Sequence, residues 1–343
     1  MLTLSVWKSF LHTIQLGCGG LGVLLNFLLI LLIIFRSPAR LGAYKYLMIY
    51  ISAFEMCYCI LDAIIEPNIF SQGPAFIVFR YFEGSAFGRG QGFYLIVIYC
   101  ASYALSIALF AIHFIYRYGA SDNVFRKKYL EGWKKLGVLF LVPVFYFCWW
   151  ALLIYVTYVP SRETDEFMRD SFLRDFESNI EEVSYGIAQF YSIDPKSNKL
   201  RIVWSTFIGM SNMWFMMTSS FSCVFYFGIK CYRRITKALK NSKLSSYYAR
   251  SIQQQLFQAL VMQTLIPVVL MYIPVGILFF FPMFNINVGF LSSFAAATIA
   301  LYPAVDPLPT MFIVESYRKT ILCGCSVAVD NKEEVNKRRT NTG

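Results

Sequence analysis

Apolar residues run through this chain in long uninterrupted blocks rather than in narrow stripes or alternating pairs. Seven blocks stand out, at Phe10–Phe35, Tyr46–Glu66, Gln91–Tyr116, Leu136–Val159, Leu200–Ile229, Leu256–Phe281 and Gly289–Val314. Each is long enough to cross a hydrocarbon core as a helix, which takes about 20 residues. Barrel strands would instead alternate over about ten residues, and only a helix or a closed barrel satisfies its own backbone in lipid. The pattern therefore predicts an all-α membrane protein: a seven-transmembrane helix bundle over residues 1–320, followed by a tail over 321–343. The first block ends in "LLNFLLILLIIFR" with no small-residue cleavage pattern, so it reads as an anchor and not as a signal peptide.

Composition agrees with that reading: 57% of residues are hydrophobic and only 15% charged. Charge also orients the bundle. Most of the 31 lysines and arginines fall after the first, third and fifth blocks and in the tail, which places the N-terminus outside and the C-terminus in the cytoplasm. The net charge of +11 is thus mainly a topology signal, and a nucleic-acid partner has no soluble basic domain to bind. Six cysteines lie within apolar blocks, and the outer connections contain none, so no disulfide framework is expected. Cys323 and Cys325, just past the last block, are candidates for palmitoylation.

One connection is long. Residues 160–199 gather nine acidic residues, while Phe172, Phe176, Ile180 and Val183 recur at helical spacing and "DPKSN" reads as the turn of a short hairpin. A folded outer lid and an acidic solvated surface are both compatible with this pattern.

Four stretches carry a resemblance: "LGAYKYLM" (41–48), "HFIYRY" (113–118), "QQQLFQALVMQTLIPVVLMYIPVG" (253–276) and "YPAVDPLPTMFIVESYRKTI" (302–321). In this order and at these helix ends they resemble the nematode Str-type seven-transmembrane chemoreceptors over almost the whole chain. The resemblance implies a G-protein-coupled chemosensory, or olfactory, receptor in the plasma membrane of the sensory cilium of chemosensory neurons. Its implied partners are a small environmental chemical, a heterotrimeric G protein and the bilayer, with no cofactor. "HFIYRY" looks like a relative of the Asp-Arg-Tyr signature of the wider superfamily, with Tyr116 standing where the acid would be. Arg117 and Tyr118, with Tyr317 and Arg318 at the inner end of the last helix, are the expected coupling residues.

The residues add mechanism. Pro267 and Pro274 each remove a backbone donor from the sixth helix, and Pro307 does so in the seventh, so these three mark an activation hinge. Glu55, Asp62, Glu66 and Asp306 are ionisable groups at membrane depth, which makes each a functional candidate. At about 1.5 Å per residue, Asn26, Glu55 and Asp306 all reach a depth of roughly 13–15 Å from the inner ends of their helices. They are expected to form one intramembrane polar cluster, gathered where Pro307 and Pro309 leave carbonyls without donors. Two carboxyls in contact in low dielectric would share a proton or hold a sodium ion. Asp62, Tyr94, Tyr99, Tyr103, Asn212 and Tyr272 are the candidate ligand contacts in the outer half of the bundle.

Other classes leave different marks. A seven-helix ligand-gated channel or small-molecule transporter is the alternative, but neither an inverted repeat nor a row of intramembrane charges is visible. An enzyme is not expected: His12 and His113 lie near opposite faces, which removes a shared metal site.

Overall fold

The apolar blocks fold into helices, most of them longer than the blocks themselves. The structure, a computed structural model, describes residues 4–37, 41, 44–82, 88–193, 199–240 and 244–323. Helix one spans Leu4–Arg36, helix two Tyr44–Ile65, helix three Arg89–Ser121, helix four Trp133–Thr157 and helix five Trp204–Lys240. Among the described residues, six helices are long and apolar enough to cross a membrane. Helix five is the exception although it has 37 residues, because Ser211, Asn212, Thr218, Ser219, Ser220 and Ser222 dilute its apolar character.

Prolines shape the last two helices. Helix six runs Leu244–Pro267, loosens into a π-helical turn at Val268–Tyr272 and resumes at Ile273–Phe280, so the irregularity sits between Pro267 and Pro274. A widened turn of this kind is where a helix bends. Helix seven is broken at Asp306, between Phe294–Val305 and Pro307–Ile313. A short helix, Glu315–Cys323, follows. Cys323 closes it, whereas Cys325 and almost all of the tail lie outside the described residues.

The outer connections fold into a lid. Strands β1 (Asn68–Gln72) and β2 (Ala75–Tyr81) form a hairpin in the first outer connection, turned at Gly73 with φ +52° followed by Pro74. Glycine takes that left-handed conformation at no steric cost. Strand β3 (Val183–Gln189), from the second outer connection, pairs antiparallel with β2 from Ala75↔Gln189 to Tyr81↔Val183. Strands β4 (Tyr191–Ile193) and β5 (Leu200–Ile202) form the expected hairpin; its turn, 194–198, lies outside the described residues. A lid helix, Arg162–Phe176, is capped by Ser161, whose side chain accepts from the Thr164 N–H. Phe70, Phe79, Phe172, Phe176 and Val183 give the lid its own buried core, with the Phe79 and Phe172 rings 4.8 Å apart. The lid therefore is folded and is more than an acidic surface.

No disulfide fastens it among the described residues. Side chains and backbone do so instead. Arg89, at the start of helix three, pairs with Asp165 of the lid helix at 2.6 Å, and the Tyr185 hydroxyl donates to the same carboxylate at 2.7 Å. The Ser184 hydroxyl donates to the Arg89 carbonyl, and the hydroxyl of Ser293, just before helix seven, to the Ile69 carbonyl. Gly92 permits the closest approach, since a Cβ there would collide with the Ser184 side chain.

Candidate functional site

Beneath the sheet lies a cavity of about 80 Å³. Its roof is Phe76 and Val78 of β2 with Gly186–Ala188 of β3; its walls include Tyr58, Tyr99, Tyr103, Trp150, Met213, Phe279 and Ile299, from helices two to seven. The lining is almost wholly carbon. Its polar side-chain atoms include the hydroxyls of Tyr58, Tyr99, Tyr103 and Tyr158. A concave apolar site with a few polar groups is the usual form of a small-molecule pocket.

The candidate contacts divide. Tyr99 and Tyr103 line the cavity, and Tyr272 packs edge-on against Tyr103 one layer below, its ring centroid 5.6 Å away. Asp62 is buried beside Tyr99 but is not part of the cavity wall. Tyr94 and Asn212 do not line the cavity: Tyr94 is 55% exposed and stacks on Tyr155 at the bundle surface, and Asn212 is half-buried with its amide turned back to the Ile208 carbonyl. Sequence reasoning missed Tyr58, Trp150 and the lid strands. The turn "QGP" between "NIFS" and "AFIVF" was the available hairpin signal.

Below the cavity, Asn26, Glu55 and Asp306 come together, buried at 0%, 1% and 0% exposure. The Glu55 carboxyl lies within hydrogen-bond reach of the Asp306 carboxyl and of the Asn26 amide. Proline chemistry explains the meeting point. Pro307 has no N–H, so the carbonyl four residues earlier, that of Pro303, is released from the helix ladder. Asn26 Nδ2 donates to that carbonyl at 2.9 Å. Gly22 lets helix one pack this closely, because a Cβ there would collide with the Cys59 sulfur of helix two while just touching the Pro303 oxygen and the Ala304 nitrogen at 3.4 Å.

A fourth helix joins through a residue the sequence reading did not single out. Gln263 of helix six donates from Nε2 to Asp306 at 3.0 Å and accepts from the Thr310 hydroxyl at 2.9 Å. It stands four residues before Pro267, one turn below the π-helical segment. The site is thus a junction of helices one, two, six and seven, with the Glu55 and Asp306 carboxyls facing one another at its centre.

At the inner end, Tyr118 and Arg117 part company. Tyr118 donates to Asp122 at 3.0 Å, and Arg234 of helix five pairs with the same carboxylate at 2.7 Å. The Phe125 backbone N–H, then the Tyr118 hydroxyl and Arg234, hold the Asp122 carboxyl below its usual value. Arg117 is not at the solvent edge; it is 1% exposed, with its guanidinium over the Tyr44 ring. Tyr317 is buried and hydrogen-bonds Ser37 at 2.7 Å, while Arg318 is exposed. The Glu315 carboxyl, held low chiefly by Lys319 one turn on, braces this last helix.

Comparison with known proteins fits this arrangement. Squid rhodopsin shares the fold, with a TM-score of 0.57 over 97% of this chain and 86% of that one, at 12% identity. G-protein coupled receptor str-217 of Caenorhabditis elegans is 37% identical over 311 residues, 90% of this chain and 88% of that protein. Serpentine receptor class r-10 of the same organism is 30% identical over 343 residues, covering 97% and 96%. Residues 11–322 match the family described as serpentine type 7TM GPCR chemoreceptor Str. The chain is a multi-pass, seven-helix membrane protein that belongs to the Str family of G-protein-coupled chemoreceptors.

Proposed function

We propose that this receptor binds a small environmental chemical in the cavity under the lid and, on binding, activates a heterotrimeric G protein at the membrane of a sensory cilium. The observation that carries the reading is the placement of the cavity directly above the loosened segment of helix six. Val275 and Phe279 line the cavity, the π-helical turn lies below them, and Gln263 below that turn holds Asp306. A ligand pressing on Phe279 thereby acts on the helix segment that the polar junction restrains.

Activation then consists of helix six leaving the junction, with Pro267, Pro274 and Pro307 as the bending points and a change in the proton or sodium content of the Glu55–Asp306 pair. Outward movement of helix six opens the inner face to the G protein, where Arg117, Tyr118, Tyr317 and Arg318 engage it. Palmitoylation of Cys323 or Cys325 would fasten the last helix to the inner leaflet.

The test is a calcium or cAMP screen of the expressed receptor against volatile and water-soluble metabolites, run beside Arg117→Ala. An agonist response that Arg117→Ala abolishes at equal surface display is the expected result. A full response from the displayed Arg117→Ala receptor would overturn the coupling assignment.

A further inference from the structure

Position 116 is Tyr rather than an acid, and the acid of this region, Asp122, lies further along and pairs with Arg234. Arg117 is nonetheless held. Its guanidinium carbon lies 5.1 Å from the centroid of the Tyr44 ring, at the start of helix two, and the whole side chain is buried. Tyr44 is itself fixed from two sides. Its hydroxyl hydrogen-bonds His113 Nε2 at 2.6 Å, and its ring stacks on Tyr116 with centroids 5.8 Å apart. His113, Tyr116 and Arg117 lie on one helix at spacings of three and four, so one turn of helix three surrounds a single helix-two tyrosine.

The apolar cluster that holds Tyr44 includes residues of the elements that have to move. Tyr44 belongs to an apolar cluster with Ile252 and Leu256 of helix six and Tyr317 beyond helix seven. A guanidinium over an aromatic face gains most when water is excluded, so the strength of this contact depends on that wall being in place.

We propose that Tyr44 is a positioning residue for Arg117: it stores the arginine on its ring in the resting receptor, with His113 as its anchor, and gives it up to the G protein when helix six withdraws. The proposal rests on the coupling role of Arg117 and goes beyond it by naming what restrains that residue. The restraint is aromatic and sequence-distant. Withdrawal of Ile252 and Leu256 wets the ring and weakens its hold on the cation, which ties release of Arg117 to the same movement that opens the inner face.

The experiment measures agonist-free nucleotide exchange by a panel of recombinant heterotrimeric G proteins on the full-length receptor in nanodiscs, at matched receptor amounts. Tyr44→Leu should raise exchange by about three- to tenfold, the shift expected when one desolvated cation–π contact is lost from the resting state. Tyr44→Phe keeps the ring but loses the His113 bond, and should give a rise of less than about twofold. Mere damage to the fold would lower exchange, so a rise separates release from misfolding. If Tyr44→Leu is not displayed, Tyr44→Met takes its place.

Combining Tyr44→Leu with Arg117→Ala should return exchange to the receptor-free level. A rise that persists in the double variant, or equal rises in the Leu and Phe variants, would overturn the proposal. So would exchange unchanged by Tyr44→Leu while Arg117→Ala alone lowers it, with the coupling role left standing. Exchange that Arg117→Ala alone leaves at the wild-type level would instead remove that coupling role, and the proposal with it.

Discussion

Above the cavity, β2 and β3 are zipped by a backbone ladder from Ala75↔Gln189 to Tyr81↔Val183 and backed by a phenylalanine core. Below it, helices one, two, six and seven meet through side-chain hydrogen bonds, one of them to the Pro303 carbonyl that Pro307 leaves without its backbone donor. The difference is one of adjustability. A strand ladder over a packed core changes by unfolding, whereas a junction of amides, hydroxyls and carboxyls can exchange one partner, proton or ion for another at little cost. On the proposed mechanism, the outer half holds a shape and the inner half holds one of two states.

The sharpest way to break this contrast is to soften the lid. Phe172→Ala should cost the lid about 3–5 kcal/mol, the usual range for emptying a buried phenylalanine site. Hydrogen exchange should then show lost protection at 75–81 and 183–189, with the helices unchanged. If helices six and seven lost protection equally, the lid would not be a separate unit.

A smaller effect is expected at the hinge. Pro267→Ala restores a donor to helix six and should shift basal signalling by about two- to fourfold in either direction, in a reporter assay at equal display. Unchanged basal and maximal signalling would count against bending there.

The smallest effect is expected at Asp122→Asn, which removes the exposed pair with Arg234 and should change basal exchange by less than about twofold. The sign of its pH dependence follows from the depressed carboxyl. The pair is complete above the ordinary aspartate value of about 3.9 and is lost only as pH falls through the lower folded value. Titration of Arg234-dependent exchange between neutral and mildly acid pH should therefore be flat.

What could be read from the sequence follows the same division. Helices declared themselves by length of apolar run, because a bilayer demands that length whatever the neighbours do. The meeting of Asn26, Glu55 and Asp306 could be placed by counting residues inward from basic helix ends, since depth in a membrane is nearly linear in sequence. Gln263 escaped because amides are common near helix ends and carry no charge to mark their depth. Tyr94 and Asn212 fall off the cavity wall for the converse reason: depth says nothing about rotation, and in a helix apolar on every side no stripe tells one face from another. The lid sheet needed pairing between two connections far apart in sequence, which no local pattern supplies.

The central claim is that the Glu55–Asp306 junction is the adjustable element. It is tested most directly by basal nucleotide exchange as sodium is replaced by an inert organic cation, in the wild type and in Asp306→Asn at equal display. Exchange in the wild type should depend on sodium or on pH in the range where the pair changes its proton, and Asp306→Asn should shift basal exchange and lose that dependence. Unaltered basal exchange with the same cation and pH response in Asp306→Asn would contradict it.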